Sequence, residues 1–450
     1  MHAQPQLGRA RTRFVPVFTV LLALLLAACG ADETATDDTP TDDTPTDDST
    51  DGSDEDSADD VAEGTDSEGE VNVLKVGILA PYTGVFADFG PLVIEEPIQL
   101  YLDLHDNMVG GMEVELVTAD TQSEPEVALE QARHLVENEE VDVIVGMVNS
   151  AGALAARDYI HDSQTPTMIT VASAKDLTQA EDRKSPYIFR VSFAAGQLET
   201  SGAVLFYEHG IRSMAGIGAD YVAGRDHLEG LIAAFEELGG EVPHVVWHPL
   251  GTEDFSSYLT DLSRAVDDVD AVTPMMFGGD AVRFFQQYRE FGMDAPIAVF
   301  GDVTEQSIVL DVVGEEALGS ITYWSYSPYL DNPVNNEFRE EFLAAYDRLP
   351  GGFSNHSWSV MMFLDEAIES LGGEIPNSDA LVEALEAAEI DAPSGPLSFD
   401  EDHQVIWNNY LLEIAKGPDG IIAQLPLGPY VTDARQLQDV SEAQANYHDQ

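Results

Sequence analysis

A serine that follows a buried strand is the first candidate for chemistry in this chain. Ser150 comes after the apolar run 141–146 and directly before a helical stretch that begins near Ala151. A hydroxyl beside the backbone N–H groups of a helix start suits a carboxylate. The position also suits a simple helix cap, and the two roles are compatible. A nucleophilic serine is disfavoured, because the run from Val148 to Gly152 lacks the first glycine of G-x-S-x-G.

Metal, phosphate and dinucleotide chemistry have no motif in the sequence. The eleven His show no metal spacing. His244 and His248 lie four apart on a β-type run, where side chains do not meet as they do on a helix. There is no H-E-x-x-H, Walker or dinucleotide pattern, and the acidic run 400–402 lacks the glycine of a calcium loop. We therefore expect no metal, no cofactor and no enzymatic activity.

The single cysteine is the other reactive group, and its surroundings indicate a lipid anchor. Cys29 closes the run Leu26-Ala27-Ala28-Cys29-Gly30, after the apolar stretch 18–26 and three upstream Arg. This resembles a bacterial lipoprotein signal. An ordinary signal peptide and a membrane helix are the alternatives, but the apolar run is shorter than the roughly 20 residues that span a bilayer. We expect residues 1–28 to be removed, Cys29 to be lipidated outside the cytoplasm, and no internal disulfide.

Acidic residues dominate the composition. The chain has 83 Asp and Glu against 19 Lys and Arg, for a net charge of −64. Residues 31–70 hold 18 of the acids and no Lys or Arg, so 29–70 is predicted to be the lipidated Cys and a disordered linker. This charge excludes a nucleic-acid-binding surface, which needs a basic stripe. Because the acids are spread along the chain, we interpret them as adaptation to a saline habitat; a cationic partner or substrate is the alternative.

Strands alternate with helices after the linker. The predicted strands are 73–79, 114–119, 141–146, 167–170, 188–191, 213–218, 242–247 and 270–276. The first long helix is predicted to begin with a capping box over Ser123–Glu126, and later helices cover 225–238 and 254–266. Such alternation predicts parallel sheets covered on both faces. The repeated order suggests two similar α/β lobes with a ligand cleft between them.

Short motifs occur in a characteristic order between Leu74 and Leu412. They are Val76–Gly84 followed by Phe89-Gly90, the turn of Asp120, Gln122 and Pro125, Val143–Gly146 with Asn149-Ser150, Ser173–Thr178, Phe189-Arg190, and Gly395–Asp400. In order and spacing they resemble the type I periplasmic binding proteins of branched-chain amino acid transporters.

The resemblance implies an α/β fold of two similar lobes, each a parallel sheet with helices on both faces, joined by three crossovers. The first lobe would comprise 72–191 and 326–398, and the second 192–325 and 399–420. Residues 421–450 would form a C-terminal tail. Ligand would bind at the carboxyl ends of the strands, and closure about the crossovers would trap it.

The resemblance also implies contacts in the first lobe. Ser150 corresponds to the family's carboxylate-binding serine, and Asn149 precedes it in the same cleft loop. Ala172 and Ser173 match a second carboxylate-binding loop. Phe89 falls where the family often has an aromatic lid, although it also suits the lobe core.

In the second lobe Tyr221 matches a cleft tyrosine. Asp302, after the predicted strand 297–300, lies near the family's acidic residue that holds an ammonium, and a buried carboxylate needs such a partner. Asp280 could also face the cleft; its alternative role is to cap a helix over 281–291.

The function implied is that of a lipid-anchored substrate-binding protein of an ABC importer. It would bind a branched-chain or other small amino acid by a population shift from open to closed and would dock on permease subunits. It would also contact the membrane through its lipid, and it would bind no nucleic acid. The alternative is a sensory binding module for an amide, urea or carboxylate ligand. A hydrolase is disfavoured by the lack of a catalytic constellation.

Overall fold

The computed structural model describes residues 72–180, 184–435 and 438–449. The predicted signal, Cys29 and the acidic linker lie outside these residues. Within them, no helix is both long enough and apolar enough to cross a membrane.

Sixteen strands alternate with helices along the described chain. The strands are β1 Val73–Ala80, β2 Met108–Val109, β3 Met112–Asp120, β4 Val143–Gly146, β5 Thr167–Ile169, β6 Ile188–Arg190, β7 Ser213–Ala219, β8 Glu241–His248, β9 Ala271–Met275, β10 Ala298–Phe300, β11 Ile321–Trp324, β12 Ile390–Ala392, β13 Gly395–Phe399, β14 Val405–Lys416, β15 Ile422–Ala434 and β16 Tyr447–His448.

The α-helices are α1 Glu96–Leu104, α2 Pro125–Glu137, α3 Ser150–Ser163, α4 Asp176–Gln179, α5 Gln197–Glu208, α6 Val222–Glu237, α7 Ser256–Leu262, α8 Gly279–Glu290, α9 Asp311–Val313, α10 Pro333–Tyr346, α11 Gly352–Ser370, α12 Ser378–Ala387 and α13 Val440–Ala445. Two π-helical turns cover Gly90–Glu95 and Gln306–Leu310, and short 3₁₀ turns cover Val266–Asp268, Gly301–Thr304 and Gly314–Ala317.

The first lobe is built on a six-stranded sheet in the order β2-β3-β1-β4-β5-β6. All its pairs are parallel except the short β2–β3 hairpin. Successive side chains of β4 point to opposite faces: Val143 and Val145 join one core cluster, and Ile144 joins the other. Both faces are therefore buried, which explains why the strand is a continuous apolar run.

The second lobe combines parallel and antiparallel pairs. Strands β8-β7-β9 are parallel, and a bridge between Val272 and Ile297 continues the sheet to the parallel pair β10-β11. Strand β14 then pairs antiparallel with β11 and with β15. The segment beyond residue 420, which the sequence assigned to a C-terminal tail, thus supplies β15 to this sheet.

The chain passes between the lobes three times. It leaves the first sheet after β6 and enters α5, which packs on α6, β11 and β14. After β11 it returns to α10, α11 and α12; of these α10 and α11 pack against α1. It crosses again between β13 and β14. This agrees with the α/β fold of two lobes and three crossovers expected from the sequence.

The capping box expected at the start of α2 is wrong. The helix begins at Pro125 with Glu124 as its N-cap residue and no side-chain cap bond. Ser123 instead adopts a φ of +62°. Its Oγ accepts the N–H of Phe86 at 3.1 Å and donates to the carbonyl of Thr83 at 3.0 Å. The serine side chain is used to fix the first cleft loop, so it is not available to the helix.

A buried carboxyl joins the lobes where α11 begins. Glu305, in the second lobe, is 1 % exposed, and its Oε2 accepts the N–H of Gly352 at 3.0 Å. A Cβ on Gly351 would overlap Glu305 Oε1, which explains a glycine there. Burial raises the pKa of Glu305 to about 8, and Asp311 adds to the rise.

Replacing Glu305 by glutamine tests this burial. The folded-state pKa of about 8 lies above the reference value of 4.5, so between these values the folded protein keeps a proton that the unfolded chain has lost. The resulting stabilisation is complete below the unfolded pKa and is lost as pH rises through the folded pKa. We expect the Tm of the wild type to fall more steeply than that of Glu305→Gln between about pH 5 and pH 8, measured by calorimetry.

The matched control is Glu337→Gln, which changes an exposed glutamate on α10. Its Tm should follow the wild type at every pH. Parallel curves for wild type and Glu305→Gln would contradict a protonated Glu305 in the folded protein.

Candidate functional site

A small cavity lies between the lobes at the carboxyl ends of six strands. Strands β1, β4 and β5 lead into it from the first lobe, and β7, β9 and β10 from the second. Open α/β sheets place ligands at this edge. The lining residues are Phe86, Phe89, Val148, Asn149, Ser150, Val171, Ser173, Tyr221, Ala223, Phe277 and Asp302.

The structure brings six of the predicted site residues to this cavity, namely Phe89, Asn149, Ser150, Ser173, Tyr221 and Asp302. Ala172 is buried but does not line it. The backbone N–H of Ala172 donates to the carbonyl of Met147 at 2.9 Å, and its own carbonyl accepts from Ser192 Oγ at 3.4 Å. Ala172 therefore holds the loop that presents Ser173.

Asp280 also lies outside the cavity lining. Its Oδ2 accepts the N–H of Gly251 at 2.9 Å, and its Oδ1 pairs with Arg283 one turn further along α8. The N-cap residue of α8 is Gly278, and no side chain caps that helix. Because both oxygens of Asp280 have partners, its charge is already balanced within the second lobe.

The loop after β4 presents a hydroxyl donor. Asn149 caps α3: its Oδ1 accepts the N–H of Ala151 at 2.9 Å. This corrects the expectation that Ser150 is the cap. Ser150 Oγ instead accepts the backbone N–H groups of Ser173 and Ala174, both at 3.2 Å. With its lone pairs used in this way, the Ser150 hydroxyl retains its proton for an acceptor.

Asp302 is a buried carboxylate that lacks a partner. It is 7 % exposed, and its Oδ1 has no hydrogen bond within the described chain. Burial raises the pKa of Asp302 well above its ordinary value, and the charges of Glu305 and Glu199 raise it further. None of the described residues that line the cavity is Lys or Arg. The site therefore offers a carboxyl group whose charged form is disfavoured by burial and would be stabilised by a cationic ligand group.

Aromatic rings supply most of the remaining lining. Phe86 and Phe89 meet edge to face with centroids 5.8 Å apart, and Tyr221 meets Phe277 in the same way at 6.4 Å. Burial raises the pKa of Tyr221 well above its ordinary value, and Asp302 and Asp280 contribute. Sequence reasoning missed Phe86, Val148, Val171, Ala223 and Phe277. For the last four, the available signal was their position two to four residues beyond a strand end.

A chain of three polar side chains reaches the cavity and was also missed. Ser173 Oγ lies 2.8 Å from His227 Nε2, and His227 Nδ1 contacts Glu199 Oε1. Serine hydrolases use a serine, a histidine and an acidic residue linked in this order. Here, however, the N–H groups of Ser173 and Ala174 already bond to Ser150 and are not free to stabilise an oxyanion. The geometry therefore suits binding rather than acyl transfer.

Metal binding has no support in the described residues, since they contain no cluster of three or more His, Cys, Asp or Glu able to hold an ion.

Known proteins share this architecture. A family model described as periplasmic binding protein matches residues 73–419. The Leu/Ile/Val-binding protein homolog 6 of Brucella melitensis is 32 % identical over 363 residues, which cover 79 % of this chain and 90 % of the relative.

Solved structures of substrate-binding proteins have the same fold. An ABC transporter substrate-binding protein from Sphaerobacter thermophilus is 34 % identical, with a TM-score of 0.75, over 81 % of this chain and 100 % of that one. A solute-binding protein of an ABC transporter from Rhodopseudomonas palustris was solved with 3,4-dihydroxybenzoic acid. It is 27 % identical, with a TM-score of 0.74, over 81 % of this chain and 99 % of that one. Proteins of this family are extracytoplasmic receptors rather than enzymes. The two lobes, the cleft at the strand ends and these matches establish that the chain belongs to the type I periplasmic binding proteins of the branched-chain amino acid family, the substrate-binding proteins of ABC transporters.

Proposed function

We propose that this receptor binds a small amino acid in the cavity between its lobes. The observation that carries the proposal is the buried Asp302 Oδ1 without a hydrogen-bond partner, in a cavity that also presents the Ser150 hydroxyl as a donor. An amino acid has a cation and an anion on one carbon, so it satisfies both groups at once. Its ammonium would meet Asp302, and its carboxylate would meet the Ser150 hydroxyl.

The lining favours an apolar side chain on that amino acid. Much of the cavity wall is apolar and consists of Phe86, Phe89, Val148, Val171 and Phe277. Burial of each apolar CH₂ of a ligand contributes about 0.8 kcal/mol. The cavity is also small, which favours a compact ligand over a drug-sized one. A branched-chain amino acid fits both requirements, and the name of the Brucella relative points the same way.

An aromatic carboxylate is the second candidate. The ring-rich lining and the benzoic acid bound by the Rhodopseudomonas relative favour it. Charge disfavours it: such a ligand brings an anion and no cation to a cavity that already holds Asp302 near Glu199 and Glu305. The carboxyl of Asp302 would have to stay protonated, with a ligand hydroxyl as its partner.

Delivery to an importer completes the proposal. The receptor would be tethered through a lipid on Cys29, would close on its ligand, and would present the closed form to permease subunits of an ABC importer. A sensory module that reports ligand to another protein remains the alternative, and it shares the same cavity.

A thermal-shift panel with the purified protein is the first experiment. A ligand present at 100 times its Kd should stabilise the fold by about 2.7 kcal/mol. We expect leucine, isoleucine or valine to raise Tm, and benzoate and 3,4-dihydroxybenzoate to leave it unchanged, in low and in high salt. A shift with the benzoates alone would replace the amino acid by the second candidate.

Asp302→Asn separates the two candidates at the residue level. Asparagine keeps the shape of the side chain but removes the charge that an ammonium needs. Loss of one member of a buried charged pair costs about 2–5 kcal/mol, so the Kd for L-leucine should rise about 30-fold or more by titration calorimetry.

Asp280→Asn is the matched control, because the partners of that carboxylate lie in the second lobe itself; L-leucine should bind it as it binds the wild type. Undiminished affinity in Asp302→Asn would remove the ammonium contact. Tighter binding of a benzoate by the same variant would support the aromatic ligand.

Cys29→Ser tests the anchor. Cys29 is the only cysteine, so the variant should fail to incorporate a fatty-acid label and should leave the membrane fraction in the native host. Ser53→Ala, in the acidic segment, should behave as the wild type. A labelled Cys29→Ser protein would refute lipidation at this residue.

A further inference from the structure

One hydrogen bond links the two lobes directly through the cavity wall. Ser173 lies beyond β5 in the first lobe, and His227 lies on α6 in the second. Their side chains meet at 2.8 Å, Oγ to Nε2, and both residues are buried. Ser173 lines the cavity, whereas His227 does not. The bond therefore exists only while the lobes are together, and it ends on a residue that faces the ligand.

Glu199 determines whether His227 Nε2 donates or accepts the hydrogen bond to Ser173. The Oε2 atom of Glu199 accepts the N–H of Gly196 at 2.7 Å, and its Oε1 contacts His227 Nδ1. A carboxylate that accepts at both oxygens requires the proton on Nδ1, so Nε2 of the neutral imidazole is an acceptor. Both Glu199 and His227 are fully buried in the second lobe.

Aromatic rings hold the imidazole in this orientation. The centroid of the His227 ring lies 5.3 Å from that of Phe193, 5.8 Å from Phe277 and 5.1 Å from Phe300. Only Phe277 among these also lines the cavity. The orientation of the imidazole is thus set within the second lobe, by ring packing and by Glu199, and does not require contact with the first lobe.

The donor and acceptor roles of the two cavity serines follow from these bonds. When His227 Nε2 is the acceptor, Ser173 donates its proton to it, so the Ser173 hydroxyl offers only lone pairs to a ligand. Ser150 accepts two backbone N–H groups and keeps its proton. The cavity therefore presents one hydroxyl as an acceptor and one as a donor, which matches the two charged ends of an amino acid.

We propose that His227, oriented by Glu199, is a positioning residue that couples lobe closure to ligand recognition: on closure it bonds Ser173, latches the lobes and fixes the Ser173 hydroxyl as an acceptor for the ligand. This inference rests on the proposed function for its ligand. The latch itself requires only the contact between the two lobes.

The test is a double-mutant cycle on the full chain with L-leucine as the probe. Ser173→Ala leaves the pair of Glu199 and His227 intact, and His227→Phe keeps an aromatic ring but cannot bond Ser173. Each single variant strands a buried polar group in the closed form. We expect each to release L-leucine about tenfold faster in stopped flow, with the association rate constant changed less than about twofold. The double variant should be no faster than the faster of the two single variants, because the bond between the two residues can be lost only once.

A ligand-free measurement distinguishes failure of the latch from failure of the proposed function. Without ligand, the wild type should have a smaller radius of gyration in X-ray scattering than Ser173→Ala, because the bond keeps part of the population closed. His248→Phe is the matched control: His248 is fully buried in the same lobe and does not line the cavity, so it should match the wild type in both experiments.

Effects of Ser173→Ala and His227→Phe that multiply in the double variant would overturn the latch, as would wild-type release from His227→Phe. If the wild type does not bind L-leucine, the proposed function fails by itself, and the ligand-free radius then decides: equal radii for wild type and Ser173→Ala overturn the latch. If His227→Phe does not fold, Ser173→Ala and its radius still decide.

Discussion

A buried carboxylate needs a partner, and three of them lie where the lobes of this receptor meet. Glu199 contacts His227 and the N–H of Gly196. Glu305 accepts an N–H at the start of α11, and burial raises the pKa of its carboxyl to about 8. Asp302 has an oxygen without a partner and faces the cavity. The partner of Glu199 is a side chain, that of Glu305 is the start of a helix, and that of Asp302 is, in our proposal, the ligand.

The position of these groups follows from the parallel strands. Carboxyl ends of neighbouring parallel strands lie at one edge of a sheet, and the loops that follow β1, β4, β5, β7, β9 and β10 all reach the cavity. The three crossovers then set the two edges against each other. Recognition is therefore distributed over loops that are distant in sequence, and both lobes are required to complete it. This is why we treat closure and binding as one equilibrium.

Much of the fold was predictable, since the signals for it are local. Apolar runs such as 141–146 identified buried strands, and the first polar residues beyond them, Asn149 and Ser150, line the cavity. Local signals failed where competing partners exist. Ser123 had the spacing of a helix cap, yet its hydroxyl fixes the first cleft loop. Asp280 had the spacing of a cap or a ligand contact, yet Arg283 and Gly251 hold it.

The sequence by itself determined the α/β class and indicated two lobes, because hydrophobic periodicity is a property of short segments. Most of the cavity lining was implied by the resemblance to a known family. Only the tertiary structure decided which carboxylate lacks a partner and that His227 reaches Ser173. Those answers depend on contacts between residues such as 173 and 227, or 305 and 352, which are far apart in sequence and are brought together only by the folded chain. Hydrogen bonding, rather than residue type or burial, separates Asp302 from Asp280.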